Sequence, residues 1–405
     1  MPPAVPLGEL LDALDRTATA PGYDRVRDVI TTHHPLQPFD ARNFTPGELR
    51  RPGPFSFDPL GYDGAVAAAG PRTEPEPFLA TPLPAPDQTD ITLPDLLKVL
   101  EHPARSFLRQ RLQVAVTKDE EEPADALPVD LNGLEKWGVG ERVLHDRVAG
   151  LDVSECMTIE LRRGALPPGP IGEAVLREIG RNVEEIVKAS AAKRAHEPES
   201  HDVDIALADL GLPDGARLTG TVAGVRGDTI VSLTYSKLGP KQRLRAWVEL
   251  VVLTISHPGH DWRAVAVGRG SKPTSVSRSG LGPLSAAEAK VALAEIVSLY
   301  RAGLRGPLPL PVKTAAQYAF LRGKGTGVPA ARIGAVKEWS GPFPEHEDAE
   351  HALVYGAAAP ISVLTDQVPG LDEGGAGWPP DETDRFGLLA RRLWDRLLAA
   401  ETEHP

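Results

Sequence analysis

The stretch Leu218-Thr219-Gly220-Thr221-Val222-Ala223-Gly224-Val225, the link Arg226-Gly227-Asp228 and the run Thr229-Ile230-Val231-Ser232-Leu233-Thr234-Tyr235 read as two β-strands joined by a tight turn. β-Branched residues recur in both runs, and Gly227 supplies the backbone freedom a short hairpin link needs. Upstream, Ile171, Val175, Leu176, Ile179, Val183, Ile186 and Val187 recur at helical spacing and predict a long, half-buried helix. Downstream, Pro240 opens a helix whose apolar face is Leu244, Trp247, Val248, Val251, Val252 and Ile255, with Arg243 and Arg245 on its polar face. Arg263 to Gly268 reads as another strand, and the Gly/Ser/Pro-rich Gly268 to Pro283 as a loop. Ser285-Ala286-Ala287-Glu288 is a capping box that starts a helix reaching about Leu304. Helix, hairpin, helix, strand and helix in this order predict a mixed α/β fold of the α+β kind.

The outer regions read differently. Thr92-Leu93-Pro94-Asp95 signals a helix start, and His102-Pro103 should break and restart that helix because proline lacks an amide donor. Residues before about 90 are Pro-rich, with Pro71 to Pro86 the best linker. From Glu338 onward fourteen acids face four arginines, and a last helix carries Phe386, Leu389, Leu393, Trp394 and Leu397. The single Cys156 excludes an internal disulfide framework and a Cys-rich zinc site, and reads as a packing residue. No apolar run is long enough to cross a membrane and the start lacks a signal-peptide pattern, so a cytoplasmic, membrane-free setting is expected.

A set of segments stands in a distinctive order: His34-Pro35-Leu36-Gln37-Pro38-Phe39 with Phe44, Phe55-Ser56-Phe57, Ile91-Thr92-Leu93 through Leu97, His102-Pro103 with Phe107 and Arg109-Gln110-Arg111-Leu112, and Leu131-Asn132-Gly133-Leu134-Glu135. Gly164 to Gly169 leading into Gly172-Glu173, and Arg245-Ala246-Trp247-Val248-Glu249-Leu250, complete the set. In this order they resemble the C-terminal third of the RecC family, the gamma subunit of exodeoxyribonuclease V (the RecBCD helicase-nuclease). The resemblance implies the C-terminal portion of a longer subunit: residues 1–85 as the end of a helicase-like region and linker, 86–340 as an inactive nuclease-like domain, and 341–405 as an acidic helical segment. It further implies a degenerate restriction-endonuclease-like fold of the PD-(D/E)xK class, RecB-like and RecD-like partner subunits, and DNA as duplex end and separated strands. ATP and Mg²⁺ would belong to the partners, with no cofactor in this chain.

Active members of that nuclease class hold Mg²⁺ with carboxylates on two adjacent strands, and a lysine two residues beyond the second helps activate water. Laid over that pattern, the carboxylate positions are Ala223 and Thr234, the lysine position is Ser236, and a helical histidine falls at Gly172. No catalysis and no metal are expected from this set. A rearranged metal site using Asp228 with Lys237 is the alternative enzyme reading, and His201-Asp202-Val203-Asp204, expected as a solvated loop, is another conceivable cluster.

The net charge of −12 conceals a strong asymmetry, since Lys237 to Lys337 holds sixteen basic residues and only four acidic ones. Clustered bases inside an acidic protein fit phosphate neutralisation, which is salt-dependent and blind to sequence. Arg243, Arg245, Arg269, Lys272 and Arg278 are the candidate DNA contacts. Aromatic residues are not interleaved with these bases, so the segment by itself gives no stacking platform. The function expected is a non-catalytic DNA-guiding and subunit-docking module in double-strand-break repair by homologous recombination. A nuclease with a rearranged metal site and a stand-alone DNA-binding protein are the alternatives.

Overall fold

The computed structural model describes residues 4–71, 77–87, 89–116, 130–210, 212–370, 373 and 381–403. The chain divides into two compact units, residues 1–76 and 77–405. The division falls within the Pro-rich linker expected at Pro71 to Pro86, of which residues 72–76 lie outside the described set.

The first unit contains α1 (Val5–Thr17), α2 (Arg27–Ile30) and α3 (Pro59–Ala69). It is organised around a polar side chain: Asn43 Nδ2 donates to the carbonyls of Gln37 and Pro38, each at 3.1 Å, while the Asn43 carbonyl accepts from the amides of Phe55 and Ser56 at 2.9 Å. His34 lies against Phe55 with ring centroids 4.3 Å apart, so the segments His34–Phe39 and Phe55–Phe57 are tied to one residue. Among the described residues of this unit Leu49 and Ala65 are the buried apolar side chains, whereas Leu36, Phe57 and Leu60 are each at least 80 % exposed.

The second unit runs β1 (Ile91–Thr92), α4 (Leu93–Glu101), α5 (Pro103–Ser106), α6 (Gly133–Val148), α7 (Val153–Arg163), α8 (Pro170–Ser190), β2 (Glu199–Ala206), β3 (Arg217–Arg226) and β4 (Thr229–Lys237). It continues with α9 (Pro240–Ser256), β5 (Arg263–Arg269), β6 (Val276–Leu281), α10 (Ala286–Arg305), α11 (Val312–Gly323), α12 (Val328–Ser340), α13 (Ala349–Tyr355), α14 (Ser362–Thr365), α15 (Arg385–Ala400) and β7 (Glu401–Glu403). One mixed seven-stranded sheet has the order β1-β3-β4-β5-β6-β7, with β2 on the other edge of β3. β4 and β5 are parallel and β5, β6 and β7 successively antiparallel.

Burial follows the pleat, which sends successive side chains to opposite faces. Ala264 and Ala266 of β5 join a large core with α4, α9, α10, α11 and α15, while Val265 and Val267 join a second core with α6, α7 and α8. The sheet is thus covered on both sides at β5. Cys156 sits in the second core as a packing residue. Helix α9 is buried on nearly every side, from Arg243 to Thr254, as the inner helix of its layer.

The expected helices and strands are present, with three differences. Glu199–Ala206 is strand β2 and not a loop, because His201 to Ala206 pair antiparallel with β3. Val276–Leu281 is strand β6, paired with β5, inside the stretch expected as a loop. Residues after 340 do not stand apart as an acidic appendage: α15 contributes Phe386, Leu389, Leu393, Trp394 and Leu397 to the large core, and β7 extends the sheet. As expected, α4 ends before His102 and α5 restarts at Pro103, with the His102 ring nitrogen capping the new helix.

At Gly140, α6 touches the sheet so closely that a Cβ would lie 2.1 Å from the Tyr235 ring. Alanine in an ordinary helix interior is about 1 kcal/mol better than glycine. Gly140→Ala should instead lower stability by about 1–3 kcal/mol, as overpacking does, measured by urea unfolding; an increase would show that α6 does not lean on Tyr235.

Candidate nucleic-acid interface

The positions that the resemblance assigns to metal chemistry have a definite local arrangement. Ala223 and Gly224 (φ +74°) form an irregularity in β3, where the pairing with β2 shifts between Val222 and Val225. The β3–β4 ladder has two pairs, Val225↔Ile230 and Arg226↔Thr229, so Gly227 (φ +59°) and Asp228 form the two-residue turn and Ala223 is not a ladder partner of Thr234. On β4, the three residues between Leu233 and Lys237 stand against the one residue between Val267 and Arg269 on β5, a surplus of two. Thr234, Tyr235 and Ser236 therefore bulge out of the ladder.

Three contacts hold this bulge. Glu141 of α6 accepts on one carboxylate oxygen from Thr234 Oγ1 at 2.5 Å, the Tyr235 amide at 3.0 Å and Trp137 Nε1 at 3.1 Å. The Ser236 amide donates to Thr234 Oγ1 at 3.1 Å. Arg269 Nε donates to the Tyr235 carbonyl at 2.6 Å, and its guanidinium lies 4.3 Å over the Tyr235 ring. Gly172 sits in the first turn of α8, where a Cβ would meet the Pro167 carbonyl at 2.1 Å. A methyl, two hydroxyls and a glycine do not fit a Mg²⁺ ion, which wants carboxylates and water. Glu141 is the residue that sequence reading missed at this place; nothing in its local sequence marks it as a bulge contact, because its two partners on β4 lie 93 and 94 residues away.

The five basic candidates separate into two groups. Arg243 differs from its expected place on a polar face: it is buried and donates twice to Glu401 of β7, at 2.8 and 2.6 Å, and Ser279 Oγ donates to the same carboxylate. The close of the chain brings in a carboxylate that could not be foreseen on the helix. Arg245 donates to Glu101 Oε1 at 2.7 and 3.1 Å. The other three lie together. Arg269 ends β5, Arg278 of β6 is paired with Val267, and Lys272 occupies the link between those strands. Lys272 and Arg278 are exposed, as is Lys237 at the end of β4, opposite Arg269 in the ladder.

Asp228 and Lys237 do not converge. Asp228 precedes and Lys237 ends a nine-residue strand whose ladder partners run from Arg263 to Arg269, a span of about 20 Å, and Asp228 accepts from His260 Nδ1 at 2.9 Å. Asp202 accepts from Thr221 Oγ1 at 2.9 Å and Asp204 pairs with Arg217, which are cross-strand contacts and not a metal cluster.

Among the described residues a different trio, His102, Asp348 and His351, has ligand atoms within 4.8 Å of one another. Its hydrogen bonds make it a clamp between α5 and α13. His102 Nδ1 accepts from the Arg105 amide at 3.2 Å, which leaves the ring proton on Nε2 facing Asp348 at 3.0 Å; a metal at that nitrogen would need an imidazolate. Arg105 donates to Asp348 and to Glu350, and His351 Nδ1 donates to the Glu345 carbonyl at 2.7 Å. Although burial opposes it, the His102 hydrogen bond holds the Asp348 carboxyl well below the usual carboxylate range. Burial, aided by neighbouring His102, pushes His351 down to about 4.

Residues 88–321 match the family described as the RecC C-terminal domain. The chain belongs to the RecC family. It is 42 % identical over 403 residues to the RecBCD enzyme subunit RecC of Mycobacterium tuberculosis and 39 % identical over 402 residues to that of Mycolicibacterium smegmatis, in each case covering 99 % of this chain and 35 % of the relative. The RecC subunit of Escherichia coli is 25 % identical over 318 residues, 76 % of this chain and 26 % of the relative. The chain thus spans about a third of the length of the curated relatives it matches. Within this RecC-family chain, the bulged β4 and the β5–β6 link lie inside the matched residues.

Because His351 titrates lower in the folded protein than the ordinary 6.5, its contribution to stability is complete above about pH 6.5 and is lost as the pH falls toward 4. The loss amounts to roughly 3 kcal/mol. Urea unfolding between pH 7 and pH 4 should show this decline, and His351→Asn, which keeps a donor for the Glu345 carbonyl, should flatten it; equal slopes in variant and wild type would refute the assignment.

Proposed function

We propose that this chain is the non-catalytic C-terminal portion of a RecC subunit, guiding DNA and docking partner subunits in recombinational repair of double-strand breaks. The observation that carries this reading is the closed bulge at Thr234–Ser236 beside an uncompensated cationic edge. The carboxylate positions are Ala223 and Thr234, and the remaining acid, Glu141, is engaged by three neutral donors. Against it lie Lys237, Lys272 and Arg278, none with a carboxylate partner among the described residues. Basic residues placed this way suit a phosphate backbone, in a manner blind to base sequence.

The finer fold reading belongs to the same proposal: the second unit is a degenerate nuclease-like fold of the PD-(D/E)xK class, and the first is the end of a helicase-like region. Its exposed Leu36, Phe57 and Leu60 are consistent with a part that packs against further protein. The partners are RecB-like and RecD-like subunits, since the relatives are named as RecBCD subunits. ATP and Mg²⁺ serve those partners, and the setting is the cytoplasm; among the described residues no helix is long and apolar enough to cross a membrane.

Co-expression with RecB-like and RecD-like subunits of the same organism, followed by size exclusion at moderate salt, is the direct test. The expected outcome is co-elution. Separate elution of a well-folded chain would remove the docking role, and reproducible EDTA-sensitive DNA cleavage by the purified chain, lost in Asp228→Asn, would favour the enzyme reading instead.

A further inference from the structure

At the end of β4 opposite Lys237, folding gathers basic residues of a different kind. Arg226 closes β3 and is paired with Thr229, the first residue of β4, whereas Lys237 is the last. The Arg226 guanidinium reaches across the turn, and its Nη1 donates to the His196 carbonyl. Gly227 comes so close to the same residue that a Cβ would lie 3.3 Å from the His196 ring. Two positions before His196, Arg194 ends the single turn Ala191–Arg194 that follows α8. It folds back on that helix, Nε donating to Ser190 Oγ and Nη2 to the Val187 carbonyl, each at 3.1 Å. The free carbonyls of a helix C-terminus attract a cation, which accounts for Arg194 but not for a second guanidinium brought near it.

Like charges held together are costly unless something negative compensates them. Burial lowers the Arg194 guanidinium below its ordinary value, and the charges of Arg226 and Arg147 lower it further. Arg147 is neutralised by Glu184, which it meets at 2.6 Å. Neither Arg194 nor Arg226 has an ion-pair partner among the described residues, and the acceptors that fix them, two carbonyls and a hydroxyl, are neutral. Of the five N–H donors of a guanidinium, Arg194 commits two and Arg226 one. Two half-buried forks thus keep their full charge and most of their donors. The surface around them is acidic. Glu197 and Glu199 follow His196, and Asp228 shares the turn with Gly227, all exposed. Glu199 is turned to His201 at 3.6 Å and Asp228 to His260 at 2.9 Å, so neither neutralises the arginines. A polyanion laid here would run against those acids, whereas a single compact anion would not.

We infer that Arg194 and Arg226 form a binding site for one phosphate dianion, either inorganic phosphate or the phosphate of a small monoester. Forked guanidinia offer paired donors to the oxygens of such a group. Their two uncompensated charges match a phosphate monoester, which carries about −1.5 to −2 near neutral pH, better than they match a single carboxylate. The anion relieves the repulsion between the arginines and leaves their bonds to the carbonyls in place. The site lies at the far end of β4 from the cationic rim and does not depend on the DNA-guiding reading.

The test is isothermal titration of the full chain at about pH 7.5, where the probe is mostly dianion, with sodium phosphate, phenyl phosphate and sodium acetate at one ionic strength, alongside thermal unfolding. Phosphate should bind saturably and acetate should not, and about 20 mM phosphate should raise Tm by about 2 °C or more. Arg226→Gln should weaken phosphate binding by about tenfold, and Arg226→Lys, which keeps the charge without the fork, should recover part of it. Arg194 also caps α8, so the Arg226 variants carry the test, with their Tm in the absence of phosphate as the check on folding. Tighter binding of phenyl phosphate than of phosphate assigns the site to an ester, and the reverse order assigns it to the free ion. Phosphate indistinguishable from acetate, or phosphate binding unaltered by Arg226→Gln, would overturn the site. Arg226→Gln should also leave the affinity for an oligothymidylate unchanged; a loss there equal to that for phosphate would make these arginines part of a DNA surface and overturn a separate site.

Discussion

Strand β5 has no side left for water. Ala264 and Ala266 are covered by the layer built on α9, and Val265 and Val267 by the layer built on α6 and α8. A strand in that position must be flanked by other strands and roofed twice, and the rest of the second unit supplies this: β4 parallel on one edge, β6 antiparallel on the other, and a helical layer on each face. The alanines pack in the core with α9 and the valines in the core with α8. Where β2 and β3 extend beyond these layers, burial alternates and one face meets solvent, so the sheet changes from fully covered to half covered along its own width.

The seating of α6 is the second consequence of that core. With no side chain at position 140, the helix rests on the Tyr235 ring, and Glu141 next to it reaches the backbone of the bulge. The bulge in turn exists because β4 carries two residues more than β5 can pair. Its surplus amide and hydroxyl hydrogens are taken by Glu141 and its surplus carbonyl by Arg269, so the distortion leaves these polar groups satisfied. A separate buried pair, Arg243 with Glu401, fastens α9 to the last strand. Burying a charge pair is costly, and here the cost is offset by bidentate geometry and the Ser279 hydroxyl.

These two fastenings also mark the limit of what the sequence made legible. The hairpin, its flanking helices, the break at His102-Pro103 and the terminal helix follow from periodicity and capping, which are local. β2 and β6 were unreadable as strands because Glu199–Ala206 and Val276–Leu281 are polar or glycine-containing, and their extended form is imposed by pairing with β3 and β5. Arg243 was misplaced for a related reason: a helical wheel shows where a side chain points but not that Glu401, 158 residues on, is waiting there. Ala223, Thr234, Ser236 and Gly172 could be named from a resemblance, whereas the group that fills the space between strand and helix, Glu141, could be found only from the fold.

The same distinction bears on the place where β4 meets α6. Two carboxylates on neighbouring strands would repel in a half-buried place unless a cation lay between them. Ala223 and Thr234 bring no such charge, and the Thr234 hydroxyl and Tyr235 amide let one carboxylate from α6 close the gap with hydrogen bonds. The cations around the position face no such pressure. Lys237, Lys272 and Arg278 stand on exposed ends of strands and in a link, where solvation leaves them little destabilising effect and little reason to find acids. The neutral bulge and the exposed cations around it thus answer to different constraints, the first to the hydrogen-bonding needs of a surplus stretch of strand and the second to solvation.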